Sequence, residues 1–173
     1  MQKIKVEDAE EHLAYFAAAA QIAQRATCLR AQCGSIIVKD GEIIGRGYNS
    51  PPLDNESNRT CLNVYPEDQI KPRYDKTCCI HAEWRAILDA CKRHPNKIAG
   101  STLYFMRPGY QGVFTDAGEP YCTTCSRLAM EAGISYFALW NENLVCLYEC
   151  AEYDRLSYKF FKPKITVNSV KTK

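Results

Sequence analysis

An α/β domain of three layers, with helices covering a mixed central sheet, is the fold class this sequence predicts. Short runs rich in isoleucine, valine and aromatic residues are interleaved along the chain with segments of helical period, and such interleaving buries its apolar faces as helices packed on a sheet. The 173 residues, 46% of them hydrophobic, suffice for one full core and are too few to expect two, so residues 1–173 read as a single domain. There is no internal repeat and no low-complexity segment.

The first helix is expected from Val6 to about Cys28. Leu13, Phe16, Ala17, Ala20 and Ala23 recur on one face, and Glu7, Asp8, Glu10 and Glu11 put negative charge at the positive end of the helix dipole. Ser35 to Lys39 and Glu42 to Tyr48 read as two strands joined at Asp40-Gly41, a dipeptide suited to a tight hairpin. Pro51-Pro52 ends the second strand, since proline cannot donate to the ladder. From there to Cys79 the prolines Pro51, Pro52, Pro66 and Pro72 interrupt a long loop, and loops of that length in a compact domain are usually functional or tied down.

A second helix is expected from Ala82 to Arg93, with Ala82, Ala86, Ile87 and Ala90 on its apolar face, Lys92 and Arg93 at its C-terminal end, and Pro95 beyond. The strand Ser101 to Met106 follows. A glycine-containing connection from Arg107 to Pro120 leads to a cysteine-bearing helix that Gly133 closes, then to a buried strand from Ile134 to Trp140. Leu144 to Cys150 fits strand or helix, Glu152 to Phe161 is helical in pattern, and Ile165 to Val170 reads as a last strand. Lys162, Lys164, Lys171 and Lys173 make a solvated tail.

The chemistry concentrates in His81-Ala82-Glu83 and Cys122-Thr123-Thr124-Cys125. One imidazole nitrogen and two thiolates are three ligands of the kind zinc takes in catalytic sites, where a fourth position stays open to water. Two cysteines separated by two residues can meet one ion if they open a helix, whose free N–H groups and dipole favour the thiolate form. Glu83 is too near His81 to be an independent ligand but is placed to exchange a proton with the bound water. Half of a structural zinc site or a redox pair would account for Cys122 and Cys125, although a redox pair leaves His81 and Glu83 without a role.

These motifs, together with Thr27-Cys28-Leu29-Arg30, Gly34-Ser35-Ile36-Ile37-Val38-Lys39-Asp40-Gly41, Gly47-Tyr48-Asn49-Ser50-Pro51-Pro52, the continuation Trp84-Arg85-Ala86-Ile87, and Glu131-Ala132-Gly133-Ile134, resemble the cytidine/deoxycytidylate deaminase superfamily, and its deoxycytidylate branch most. The resemblance runs from about Thr27 to Asn141. It implies the cytidine deaminase-like α-β-α fold, a catalytic Zn2+ on His81, Cys122 and Cys125, and Glu83 as the acid/base in a hydrolysis that releases ammonia from cytosine, most simply dCMP to dUMP. It also implies that Asn49 contacts the substrate sugar and that the backbone of Ala82 contacts the base edge. A second, structural zinc would use Cys28, Cys61 and Cys79, with Cys78 as a fourth ligand, and copies of the chain would form a homo-oligomer. The sequence departs from the branch at Tyr121, which separates Pro120 from Cys122, at Arg85, where asparagine is usual, and in the length of the 107–120 connection. Another ring (guanine, adenine or a modified base), cytosine in single-stranded nucleic acid, and a catalytically silent zinc- or nucleotide-binding module remain the alternatives.

A formal net charge of +2 provides no broad basic field, so a small nucleotide is a better expected partner than a nucleic acid. Arg85, Lys92 and Arg93 are candidate phosphate contacts beside the simpler reading of a solvated helix face, and Trp84 is the aromatic residue placed to meet a base. Met1 to Lys5 lead into an acidic amphipathic segment and not into an apolar signal sequence. Ten cysteines therefore suggest a reducing, cytoplasmic setting and no disulfide framework. No apolar run approaches the roughly 18 residues of a membrane helix, so no membrane partner is expected.

Overall fold

The computed structural model describes residues 1–62, 78–109 and 113–160. Its centre is a sheet of six strands: β1 (Gln2–Lys5), β2 (Gly34–Lys39), β3 (Glu42–Tyr48), β4 (Thr102–Met106), β5 (Tyr136–Asn141) and β6 (Leu144–Glu149), in the spatial order β1-β6-β5-β4-β2-β3. All neighbours run antiparallel except β4 and β5, which are parallel, so the sheet is mixed as expected. The helices are α1 (Glu10–Ala23), α2 (Ala82–Arg93), α3 (Thr123–Glu131) and α4 (Cys150–Ser157). Among the described residues no helix is long and apolar enough to cross a membrane.

Alternation along the strands divides the core in two. Ile36, Val38, Tyr104, Met106, Ala138, Trp140 and Val145 pack with Phe16, Ala19 and Ala20 of α1 on one face. Their neighbours Ile37, Leu103, Phe137, Leu139 and Cys146 point the other way, into a cluster with Ala86, Ile87 and Ala90 of α2, Ala129 of α3 and Tyr153 of α4. Those are the three layers. The β2–β3 hairpin turns at Asp40 and Gly41, whose φ angles of 49° and 78° match a tight turn with both central residues left-handed. At Gly47 the sheet and α2 come so close that a Cβ would lie 2.1 Å from the Ala82 carbonyl oxygen. The first turn of α2 is thereby laid directly on β3.

Several expected boundaries shift. The N-terminal segment is split: β1 pairs with β6, a short 3-10 turn spans Val6–Asp8, and α1 begins at Glu10 and stops at Ala23. The buried face of α1 carries Ala19 where Ala17 was expected, and Ala17 is exposed. The ambiguous Leu144 segment is a strand, because it pairs along its whole length with β5, and the last helix starts earlier than the pattern shows, at Cys150. α2 spans the expected residues, and α3 closes at Gly133, whose N–H donates to the Met130 carbonyl. Two short 3-10 turns, Pro52–Asp54 and Glu56–Asn58, open the proline-rich loop. Most of that loop, the expected strand Ile165 to Val170 and the lysine tail lie outside the described residues.

Candidate active site

Two helix N-termini meet at the site. His81 is the N-cap of α2, and Cys122 is the N-cap of α3 with Cys125 in its first turn. Both His81 and Cys122 therefore have extended φ/ψ, which turns their side chains back across the helix mouth instead of along its flank. The His81 Nδ1 lies 3.1 Å from the Cys125 Sγ and 3.4 Å from the Cys122 Sγ, and the two sulfurs are 2.7 Å apart. All three ligand atoms fall within 4.8 Å of one another, and among the described residues this is the group so arranged. An N,S,S donor set converging on one point fits zinc by softness and by number.

Electrostatics at the site follow from burial and proximity. Hydrogen bonding from Cys125, joined by His81 and Thr124, pulls the Cys122 thiol down to about 4, while burial pushes Cys125 well above its ordinary value. His81 is raised, chiefly by its contact with Cys122. Glu83 is 6% exposed, and burial raises its carboxyl, with the negative charge of Cys122 adding to the effect. Its interactions include Cys125, so the carboxyl adjoins the donor set. A buried carboxyl held beside a metal-binding set can keep or release a proton as its surroundings change charge.

The expected substrate contacts lie on the same side. Asn49 follows β3, and its side-chain amide bridges the chain before β2, accepting from the Cys33 N–H at 2.8 Å and donating to the Ala31 carbonyl at 2.9 Å. Among the described residues, one amide hydrogen and one oxygen lone pair of that side chain are left for another partner. Ser50 pairs with Ile80 through the Ile80 N–H at 2.9 Å, which brings this loop to the residue before His81. Ala82 is fully buried at the start of α2.

Arg85 is engaged elsewhere than a free phosphate contact would need. It pairs with Asp54 at 2.7 Å, donates to the Pro51 carbonyl at 2.8 Å, and lies over the Tyr48 ring. Asp54 also receives the hydroxyls of Tyr48 and Ser50. Burial opposes its charge, but the bonds from Ser50, Tyr48 and Arg85 outweigh that and hold it below the usual carboxylate range. Arg93 pairs with Asp89 one turn away, and Lys92 is exposed. Trp84 stacks on the His81 ring, with centroids 4.9 Å apart and planes at 19°.

Four of the other cysteines lie in a row of neighbouring pairs and do not converge on one point as His81, Cys122 and Cys125 do. Cys28 interacts with Cys79, and Cys78 with Cys61 and Cys79, while the Thr60 N–H donates to the Cys78 Sγ at 3.3 Å. Thus the residues flanking the proline-rich loop are brought back to the segment after α1. Sequence reasoning missed the pairing of Arg85 with Asp54 and the contacts that α4 makes with the cysteine helix, because no local pattern marks either.

Residues 9–139 match the model of a family described as the cytidine and deoxycytidylate deaminase zinc-binding region. The chain belongs to this family. Its membership makes it a zinc-binding deaminase, a hydrolase by reaction class. The deoxycytidylate deaminase of Mycobacterium phage D29 is 32% identical over 132 residues, which cover 73% of this deaminase and 90% of the phage protein. The deoxycytidylate deaminase of Saccharomyces cerevisiae is 32% identical over 116 residues, 65% of this chain and 32% of the yeast protein, so the chain spans about a third of that relative. The crystal structure of dCMP deaminase from cyanophage S-TIM5 in complex with dCMP and dUMP has 26% identity and a TM-score of 0.53, with 74% of this chain and 79% of that chain covered. Cytidine deaminase from Burkholderia pseudomallei, at 18% identity and a TM-score of 0.54 over 82% of this chain and 94% of that one, shares the fold.

Proposed function

We propose that this deaminase converts a free cytosine nucleotide to the corresponding uracil nucleotide with release of ammonia, and that deoxycytidylate is its preferred substrate. The observation that carries the reading is the convergence of His81, Cys122 and Cys125 beside the buried carboxyl of Glu83. Support for the nucleotide comes from the phage and yeast relatives, both named deoxycytidylate deaminase, and from the cyanophage enzyme crystallised with dCMP and dUMP.

In this reading His81, Cys122 and Cys125 would hold the zinc. Zinc supplies Lewis-acid chemistry there, lowering the pKa of water to about 7 so that it can act as a nucleophile at neutral pH. Glu83 takes the first proton given up by the attacking water and passes it to the ring nitrogen, then moves the remaining hydroxyl proton to the amine, so that the C–N bond breaks as the carbonyl forms and ammonia leaves. Burial keeps that proton from bulk solvent between the two transfers. The unused amide hydrogen and lone pair of Asn49 serve the sugar, and the backbone of Ala82 at the mouth of α2 serves the base edge. Arg85, tied to Asp54 and the Pro51 carbonyl, shapes the loop that follows Asn49.

The four linked cysteines, Cys28, Cys61, Cys78 and Cys79, belong to the reading as the thiolate set for a second, structural zinc, and metal analysis of the purified protein should find two zincs per chain. One zinc per chain removes that part alone. A homo-oligomer is also part of the reading, and light scattering that returns a monomer mass rejects it. The function is tested by measuring ammonia release from zinc-loaded protein on cytidine, deoxycytidine, their mono- and triphosphates, adenosine, guanine and a cytosine-containing oligonucleotide. A response strongest at dCMP is expected, and silence across the cytosine nucleotides overturns it.

A further inference from the structure

α4 lies beyond residues 9–139, the part of the chain that matches the family, yet it is joined to the helix carrying the cysteine ligands. Ser126, fully buried and adjacent to Cys125, has two acceptors in reach of its one hydroxyl hydrogen, the Asp154 carboxylate at 2.7 Å and the Thr123 carbonyl at 3.0 Å. One residue earlier on α4, the Tyr153 hydroxyl accepts the Tyr121 N–H, directly before Cys122, at 3.4 Å. Tyr153 is 4% exposed, and its ring is stacked on Phe137 of β5 with centroids 4.0 Å apart. The cysteine turn is therefore gripped at both ends by two consecutive residues of one helix, and that helix is anchored in the sheet.

We propose that Asp154, assisted by Tyr153, is a positioning residue of the metal site: through Ser126 it fixes the first turn of α3 and so the separation of the Cys122 and Cys125 sulfurs. The two sulfurs must reach one ion from a helix of nine residues, and a single hydroxyl bond on the buried side of that turn sets how far it can unwind. This rests on Cys122 and Cys125 being metal ligands.

The experiment measures zinc affinity by chelator competition in the full chain, together with hydrogen exchange of the 122–126 amides in the zinc-free protein. Asp154→Ala and Ser126→Ala should each weaken zinc by roughly tenfold, the usual cost of losing a group that orients a metal ligand. Each should also speed exchange of the turn, while the double variant is no worse than the weaker single. Asp154→Asn keeps an acceptor oxygen for Ser126 and should restore both readouts. If Asp154→Ala does not fold, Ser126→Ala reads the same bond from its other end. Wild-type zinc affinity in these variants overturns the proposal, and so does loss of thermal stability with unchanged affinity, which marks a purely structural bond. A Cys122→Ala control that binds zinc as tightly as wild type would instead reject the ligand assignment on which the proposal rests.

Discussion

Glu83 occupies the second position of α2 and is almost sealed from solvent, and the proposed mechanism gives its carboxyl the proton transfers. Glu83→Ala should lower kcat by about 10²- to 10⁴-fold, the usual worth of a general acid/base, while zinc content stays at the wild-type level. Cys122→Ala should lose both. Full turnover in Glu83→Ala would remove the carboxyl from the mechanism. Asp54 offers a pH test away from the metal set. Its folded pKa is depressed, so its contribution to stability is complete above the unfolded carboxylate value of about 4 and disappears as pH falls through the lower folded value. The stability difference between wild type and Asp54→Asn should therefore be flat above that value and shrink below it, as followed by thermal melts across pH. A difference independent of pH would mean that the contacts with Arg85, Tyr48 and Ser50 do not favour the charged form.

At the scale of elements, Gly47 sets how closely α2 lies on β3. Its added Cβ would strike the backbone of α2 in the turn that carries Glu83, and backbone cannot move aside as a side chain does. Gly47→Ala should displace the start of α2, lower the melting temperature and cut both zinc affinity and turnover. An active, fully loaded variant would show that α2 can slide on β3. The elements legible in the sequence are those whose signals are local: the Asp40-Gly41 hairpin, α2 with its alanine face and Pro95 stop, and the close of α3 at Gly133. β1 was not legible, since Gln2-Lys3-Ile4-Lys5 contains one apolar residue and becomes a strand only by pairing with β6. The donor set of His81, Cys122 and Cys125 was legible because adjacent residue types define it. The bond between Ser126 and Asp154, 28 residues apart, and the pair of Arg85 with Asp54, 31 apart, arise from packing, which has no signature in either segment.

Across the whole molecule, His81 stands at the head of the connection from β3 to β4, and the cysteines stand in the connection from β4 to β5. An ion bound by all three cross-links two successive connections of the sheet. Chelation should therefore lower the melting temperature of wild type and leave that of Cys122→Ala much less affected. A hundredfold excess of a ligand over its Kd stabilises the state that binds it by about 2.7 kcal/mol. The two halves of the core should respond unequally, because among the described residues the α1 cluster contains none from α2 or α3 while the other cluster contains residues of α2, α3 and α4. A starved enzyme thus has a sturdy back and a loose front. Under limited proteolysis without metal, the first cuts fall in the layer of α2 to α4, and the fragment holding α1 against the sheet survives longest.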